Sequence, residues 1–129
     1  MQEKILKLNF TSAHLSELDT QDNELVANAK EAFITAYAPY SGFLVGASIL
    51  LDNGEIVNGS NQENVAYPSG LCAERVAMFY AGAKFPDAKI KTIAVSVISK
   101  TFKVTDVISP CGACRQVMAE YEDKQAQPI

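Results

Sequence analysis

Leu44-Val45-Gly46-Ala47-Ser48-Ile49-Leu50-Leu51 and Glu55-Ile56-Val57-Asn58-Gly59-Ser60 are two strand-like runs on either side of Asp52-Asn53-Gly54. An Asn-Gly step between apolar runs is the strongest short-range hairpin signal, because both residues tolerate the positive φ that tight turns demand. A β-hairpin is therefore expected at 44–60. Upstream, Leu25, Ala29, Ala32, Phe33, Ala36 and Tyr37 recur every three or four residues between Asp22 and Ala38, the spacing of an amphipathic helix. Thr20 is its expected N-cap, Asp22 and Glu24 fall in its first turn, and Pro39 stops it. Downstream, Leu71 to Gly82 reads as a helix with Ser69 as cap. Lys91 to Ser99 reads as a strand buried on both faces, since Ile93, Val95 and Val97 alternate with Ala94 and Ile98. Ser109 as N-cap and Pro110 as first helical residue open a last helix running to about Glu122. Lys4 to Phe10, with Leu6, Leu8 and Phe10 on one side, reads as a short strand or an arm. The order helix, hairpin, helix, strand, helix makes an α/β layered domain.

The chain has 129 residues, 48% apolar and 20% charged, enough for one domain with its own core. We read 1–129 as that domain, with 1–20 as an N-terminal arm. Eleven Lys and Arg against 15 Asp and Glu give a formal charge of -4, the wrong sign for gripping a phosphate backbone or an anionic bilayer. No nucleic-acid polymer and no membrane is expected as a partner. The apolar runs are too short to span a bilayer, and Met1-Gln2-Glu3-Lys4 lacks the basic-then-apolar order of a secretory signal, so the expected location is cytoplasmic. Three cysteines cannot all pair within one chain, and a reducing compartment keeps them as thiols.

All three cysteines fall in two short motifs, Cys72-Ala73-Glu74-Arg75 and Pro110-Cys111-Gly112-Ala113-Cys114-Arg115-Gln116. Cys111 and Cys114 lie three apart at an expected helix start, so both thiols share a face, and the positive end of the helix favours their thiolates. Cys72 is expected near another helix N-terminus. Two such helix starts meeting at one point would offer three thiolates to Zn²⁺ and leave the fourth tetrahedral position open, as catalytic sites do. Three thiolates overcompensate the charge of one Zn²⁺. Arg75 and Arg115 are candidates to donate to the sulfurs, with Gln116 beside them. Glu74, two residues from a cysteine ligand, could reach a water at the open position and carry protons.

The two motifs resemble the zinc-dependent deaminases, whose signature is H-x-E, with Cys allowed for His, followed by P-C-x-x-C. The likeness extends to the small cytidine deaminases of free nucleosides, through Tyr40-Ser41-Gly42-Phe43-Leu44-Val45-Gly46-Ala47, Asn61-Gln62-Glu63-Asn64 and Ala66-Tyr67-Pro68. It implies a three-layer α/β/α sandwich around a mixed β-sheet, one zinc per chain on Cys72, Cys111 and Cys114, and Glu74 as proton shuttle. It implies hydrolytic deamination at C4 of cytidine or deoxycytidine, yielding uridine or deoxyuridine and ammonia in pyrimidine salvage. Phe43 would pack on the pyrimidine, Asn61 and Glu63 would hold ribose hydroxyls, and Ala73 and the Ser109 carbonyl would also meet the substrate. Tyr67 would serve a neighbouring subunit's site in a homotetramer. Val65 stands where the family more often has alanine, and the resemblance implies that the family's C-terminal strand and helix are absent after Ile129.

Three other readings compete. Cys111-Gly112-Ala113-Cys114 fits a thiol-redox motif, but that leaves Cys72 and Glu74 without a role. A structural zinc site wants four protein ligands, and the only histidine, His14, lies outside both motifs. A deaminase of a modified cytosine nucleoside such as blasticidin S would share the zinc motifs, but the Asn61-x-Glu63 pair suits a ribose.

Overall fold

The computed structural model describes residues 1–5, 7 and 9–129. The alternation read at Lys4 to Phe10 depends on Leu6 and Leu8, which lie outside the described residues. Helix α1 spans Thr20–Ala32, strand β1 Phe43–Leu51, strand β2 Ile56–Ser60, helix α2 Ala73–Lys84, strand β3 Ile90–Ser99 and helix α3 Gly112–Gln125. The strand order is β2-β1-β3, and both pairings are antiparallel. Parallel pairing, expected of a mixed sheet, is confined among the described residues to one bridge between Tyr37 and Gln62.

The hairpin turns where Asn53-Gly54 places it. Leu50 pairs with Ile56, the Gly54 N–H donates to the Leu51 carbonyl at 3.0 Å, and Gly54 takes φ 84°, a conformation that costs glycine nothing. The sheet is covered on both faces. A Cβ on Gly46 would stand 2.0 Å from the Ala29 carbonyl oxygen, so α1 lies against one face; a Cβ on Gly59 would stand 2.6 Å from the Ala77 nitrogen, so α2 lies against the other. The main core fills the α2 side, where Ala47, Ile49, Leu51 and Val57 meet Ala73, Ala77, Met78 and Ala81. Val117, Met118 and Tyr121 of α3 pack against the same core. The result is α/β/α in three layers. Gly46→Ala should destabilise the protein by at least about 2 kcal/mol, because the obstruction is helix backbone and cannot rotate away; urea unfolding with an unchanged midpoint would contradict this.

Several boundaries differ from the sequence expectations, two of them where a tertiary contact intervenes. Asp19, not Thr20, caps α1, its carboxylate accepting the Asp22 N–H at 2.8 Å. The helix stops at Ala32, followed by a 3₁₀ turn at Phe33–Thr35, because the chain must then extend: the Tyr37 N–H donates to the Asn61 carbonyl at 2.9 Å and the Glu63 N–H to the Tyr37 carbonyl at 2.8 Å. Ser69 belongs to a 3₁₀ turn at Tyr67–Ser69, and Leu71 exchanges both backbone hydrogen bonds with Gln62, so α2 cannot begin before Cys72. Its N-cap is Cys72 itself. Likewise α3 is capped by Cys111 rather than Ser109, and Pro110 precedes the helix. Strand β3, expected to be buried on both faces, is an edge strand of the described sheet; most of it is half-buried and Ile98 is exposed.

Candidate metal centre

Cys72 and Cys111 occupy equivalent positions, each the extended N-cap residue of its helix, with ψ of 155° and 167°. Cys114 follows one turn into α3 and is fully buried. The convergence of the two helix starts brings the Cys72 and Cys111 sulfurs to 3.7 Å and the Cys111 and Cys114 sulfurs to 3.6 Å. All three ligand atoms lie within 4.8 Å of one another. A tetrahedron with Zn–S bonds of about 2.3 Å has sulfurs roughly 3.8 Å apart, so the donor set fits zinc in both chemistry and spacing.

The surroundings supply compensating charge. Arg75 Nη2 donates to the Cys72 sulfur at 3.7 Å. The Cys72 sulfur, and behind it the Cys114 sulfur, hold the Arg75 pKa above its ordinary value against the opposing effect of burial. Among the described residues Arg75 Nε is buried without a hydrogen-bond partner. The Cys114 backbone N–H at the helix start is the chief cause that lowers the Cys111 pKa, with the neighbouring sulfurs and the Ala113 N–H adding to it. Burial first, and then the Glu74 carboxylate, push the Cys114 thiol up. Burial and the nearby carboxylate thus oppose a third thiolate, the penalty that a bound divalent cation removes.

Glu74 sits at the second position of α2, 5% exposed, close enough for its charge to be felt by Cys114. Ala73, before it, is fully buried. Arg115 and Gln116 are exposed on α3, and Ser109 is exposed ahead of it; among the described residues no side-chain hydrogen bond ties any of them to a sulfur.

Residues 61–63 are anchored beside this centre through the Gln62–Leu71 bridge, one residue from Cys72. Asn61 is 9% exposed, and its amide works as a piece of strand: Oδ1 accepts the Val45 N–H at 2.8 Å and Nδ2 donates to the Phe43 carbonyl at 2.9 Å. That backbone-bridging function was not visible in the sequence, although an Asn directly after a strand is a hint of it. The Glu63 carboxylate accepts the Ser41 hydroxyl and the N–H groups of Tyr40 at 2.9 Å and Ser41 at 3.2 Å. Phe43, at the start of β1, stacks on Phe102 of the segment joining β3 to α3, ring centroids 6.0 Å apart and planes within 16°. Tyr67 is 91% exposed. The structure thus gathers Cys72, Cys111, Cys114, Glu74 and Arg75 at one point and ties Phe43, Asn61 and Glu63 into one strip leading to it.

The Ser41 hydroxyl first, and then the Tyr40 and Ser41 amides, lower the Glu63 pKa, with burial opposing. A depressed carboxylate contributes stability above its unfolded value, near 4.5, and loses it as the pH falls through the lower folded value. In an NMR titration the Tyr40 and Ser41 amide resonances should move together with a midpoint below 4.5; a midpoint at or above that value would show that the carboxylate does not hold this turn.

Residues 19–127 match the family described as the cytidine and deoxycytidylate deaminase zinc-binding region. The chain belongs to the cytidine and deoxycytidylate deaminases. Among relatives of this deaminase family, a cytidine deaminase of Halalkalibacterium halodurans is 42% identical over 96 residues, covering 74% of this chain and 68% of the relative. The crystal structure of cytidine deaminase from Mycobacterium tuberculosis superposes with a TM-score of 0.68 at 36% identity, covering 83% of this chain and 82% of that one. A blasticidin-S deaminase of Bacillus cereus is similar at 31% identity over 107 residues, 81% of this chain and 75% of that protein. Zinc is the family's metal, and the cysteine cluster here is suited to hold it.

Proposed function

We propose that this chain catalyses the hydrolytic deamination of cytidine and deoxycytidine, cytidine plus water giving uridine plus ammonia. The observation that carries this reading is the meeting of three sulfurs with a buried carboxylate beside them. When bound, zinc supplies a Lewis acid that lowers the pKa of water to about 7. Cys72, Cys111 and Cys114 hold the metal, and Arg75 offsets their negative charge. Glu74 accepts a proton from the attacking water, delivers it to N3 as C4 becomes tetrahedral, and then delivers the second to the departing amine. Its burial suits this task, because a carboxylate screened from bulk water exchanges protons with the reacting atoms rather than with solvent.

Substrate is held along the strip from Phe43 to Glu63. The Phe43 ring offers an aromatic face to the pyrimidine. Asn61 keeps one N–H and one lone pair beyond its two backbone bonds, and Glu63 keeps about one acceptor site beyond its three, which together match the donor and acceptor character of ribose hydroxyls. Ala73 and the Ser109 carbonyl complete the contacts, with Arg115 and Gln116 in outer positions on α3. That pair of sugar-binding groups favours a plain cytosine nucleoside over blasticidin S. The exposure of Val65, Tyr67, Phe79 and Tyr80 supports a homotetramer in which Tyr67 reaches a neighbouring site. No described helix is long and apolar enough to cross a membrane, and a role in pyrimidine salvage in the cytoplasm accords with reduced thiols and a free nucleoside as substrate.

An ultraviolet assay tests the assignment. Cytidine absorbance should change on conversion to uridine with the zinc-loaded protein, conversion should stop after chelation, and zinc should restore it. Zinc-loaded protein that leaves cytidine intact but converts blasticidin S would overturn the substrate assignment.

A further inference from the structure

Two helices that carry ligands at their N-termini need a second fixed point to set the spacing between those ends. Tyr121 provides one. It lies seven residues after Cys114, two turns along the same face of α3, and its hydroxyl donates to the Met78 carbonyl of α2 at 3.0 Å. The helical pattern assigns that same carbonyl to the N–H of Gly82, and Gly82 is where the phenol lies: a Cβ there would stand 2.3 Å from the Tyr121 hydroxyl oxygen and 3.3 Å from Cζ. Burial raises the phenol's pKa, so the group remains a donor across the neutral range. Val117 and Met118 of α3 pack, with Tyr121, against the core cluster to which Ala77, Met78 and Ala81 of α2 belong.

We infer that Tyr121 is a positioning residue for the metal centre: its hydroxyl, seated in the gap left by Gly82, sets the approach of α3 to α2 and thereby the spacing of Cys72 from Cys111 and Cys114. Helices are stiff over this distance, about 10 to 15 Å at 1.5 Å per residue, so a displacement at Tyr121 reaches the sulfurs. Metal–ligand distances are held within about 0.2 Å, so small shifts register as lost affinity. Glycine is otherwise a poor choice here, since alanine favours a helix interior. The inference rests on zinc as the occupant of the sulfur cluster.

The test is a mutant cycle read by zinc affinity in chelator competition and by the absorption bands of the Co²⁺-substituted protein, whose thiolate charge-transfer and ligand-field bands report ligand spacing. The parent protein's own zinc and cobalt binding checks the zinc reading separately. Gly82→Ala should weaken zinc binding about tenfold, the lower end of what loss of an outer partner brings, and should shift the cobalt bands. Tyr121→Phe should weaken it about threefold, as for one neutral hydrogen bond. Combined, the two should recover to within about threefold of the parent, because removing the hydroxyl removes the nearest obstruction to the new Cβ. The change from harm to rescue in Tyr121→Phe is what a general loss of stability would not produce. Parent-like affinity and cobalt bands in Gly82→Ala would overturn the inference. So would a double variant no better than Gly82→Ala, or, if Gly82→Ala does not fold, a double variant that also does not fold.

Discussion

Glu74→Gln will lower turnover by a factor of about 10² to 10⁴, the usual contribution of a positioned acid–base group, while zinc and nucleoside remain bound. Glutamine has nearly the same volume and offers an acceptor, so the second position of α2, 5% exposed, is filled without a cavity. What disappears is the ability to take up a proton from water and release it to N3 and to the amine. Binding and catalysis should therefore separate: kcat falls, zinc content stays at one per chain, and the dissociation constant of uridine changes little. A variant with near-normal kcat would remove Glu74 from the mechanism. A variant without zinc would show instead that the carboxylate supports the metal.

Cys114→Ala will weaken zinc binding by more than the about 100-fold that loss of an outer partner brings, and deamination will fall with it. Of the three sulfurs Cys114 is the one fully buried, one turn into α3, and its removal leaves Cys72 and Cys111 facing each other at 3.7 Å. Two thiolates fall short of the three protein ligands that a zinc with one open position needs. Chelator competition measures the affinity, and added zinc should fail to restore cytidine conversion at concentrations that saturate the parent. Full zinc occupancy and activity in this variant would break the three-sulfur assignment. The substitution removes a small buried group as well, so stability of the metal-free forms should be compared by urea unfolding alongside.

The sequence patterns that proved legible are those with strictly local causes. Asp52-Asn53-Gly54 specified the hairpin because glycine at 54 takes its φ of 84° without cost; Cys111 and Cys114 pointed to a metal because thiols three apart at a helix start share a face. Element ends were less legible. Ser69, Ser109 and Pro110 all look like helix-start residues, yet both helices begin at cysteines, because the Gln62–Leu71 bridge and the convergence of the sulfurs override the local preference for a hydroxyl cap. The half-buried state of β3 depends on which strands stand beside it, and no alternation of apolar residues reports that.

By itself, then, the order of residues determined the element types, the α/β layering and two cysteine motifs suited to zinc, since turn conformation, periodicity and the donor chemistry of each motif are properties of residues within a few positions of one another. Only the tertiary structure decided that Asn61 completes a strand with its side chain, that Glu63 is engaged with the Tyr40–Ser41 turn, that Arg75 rather than Arg115 reaches the sulfurs, and that Gly82 leaves room for Tyr121. Those contacts join residues far apart along the chain. Their geometry depends on how whole helices pack on a sheet, which short-range preferences do not encode.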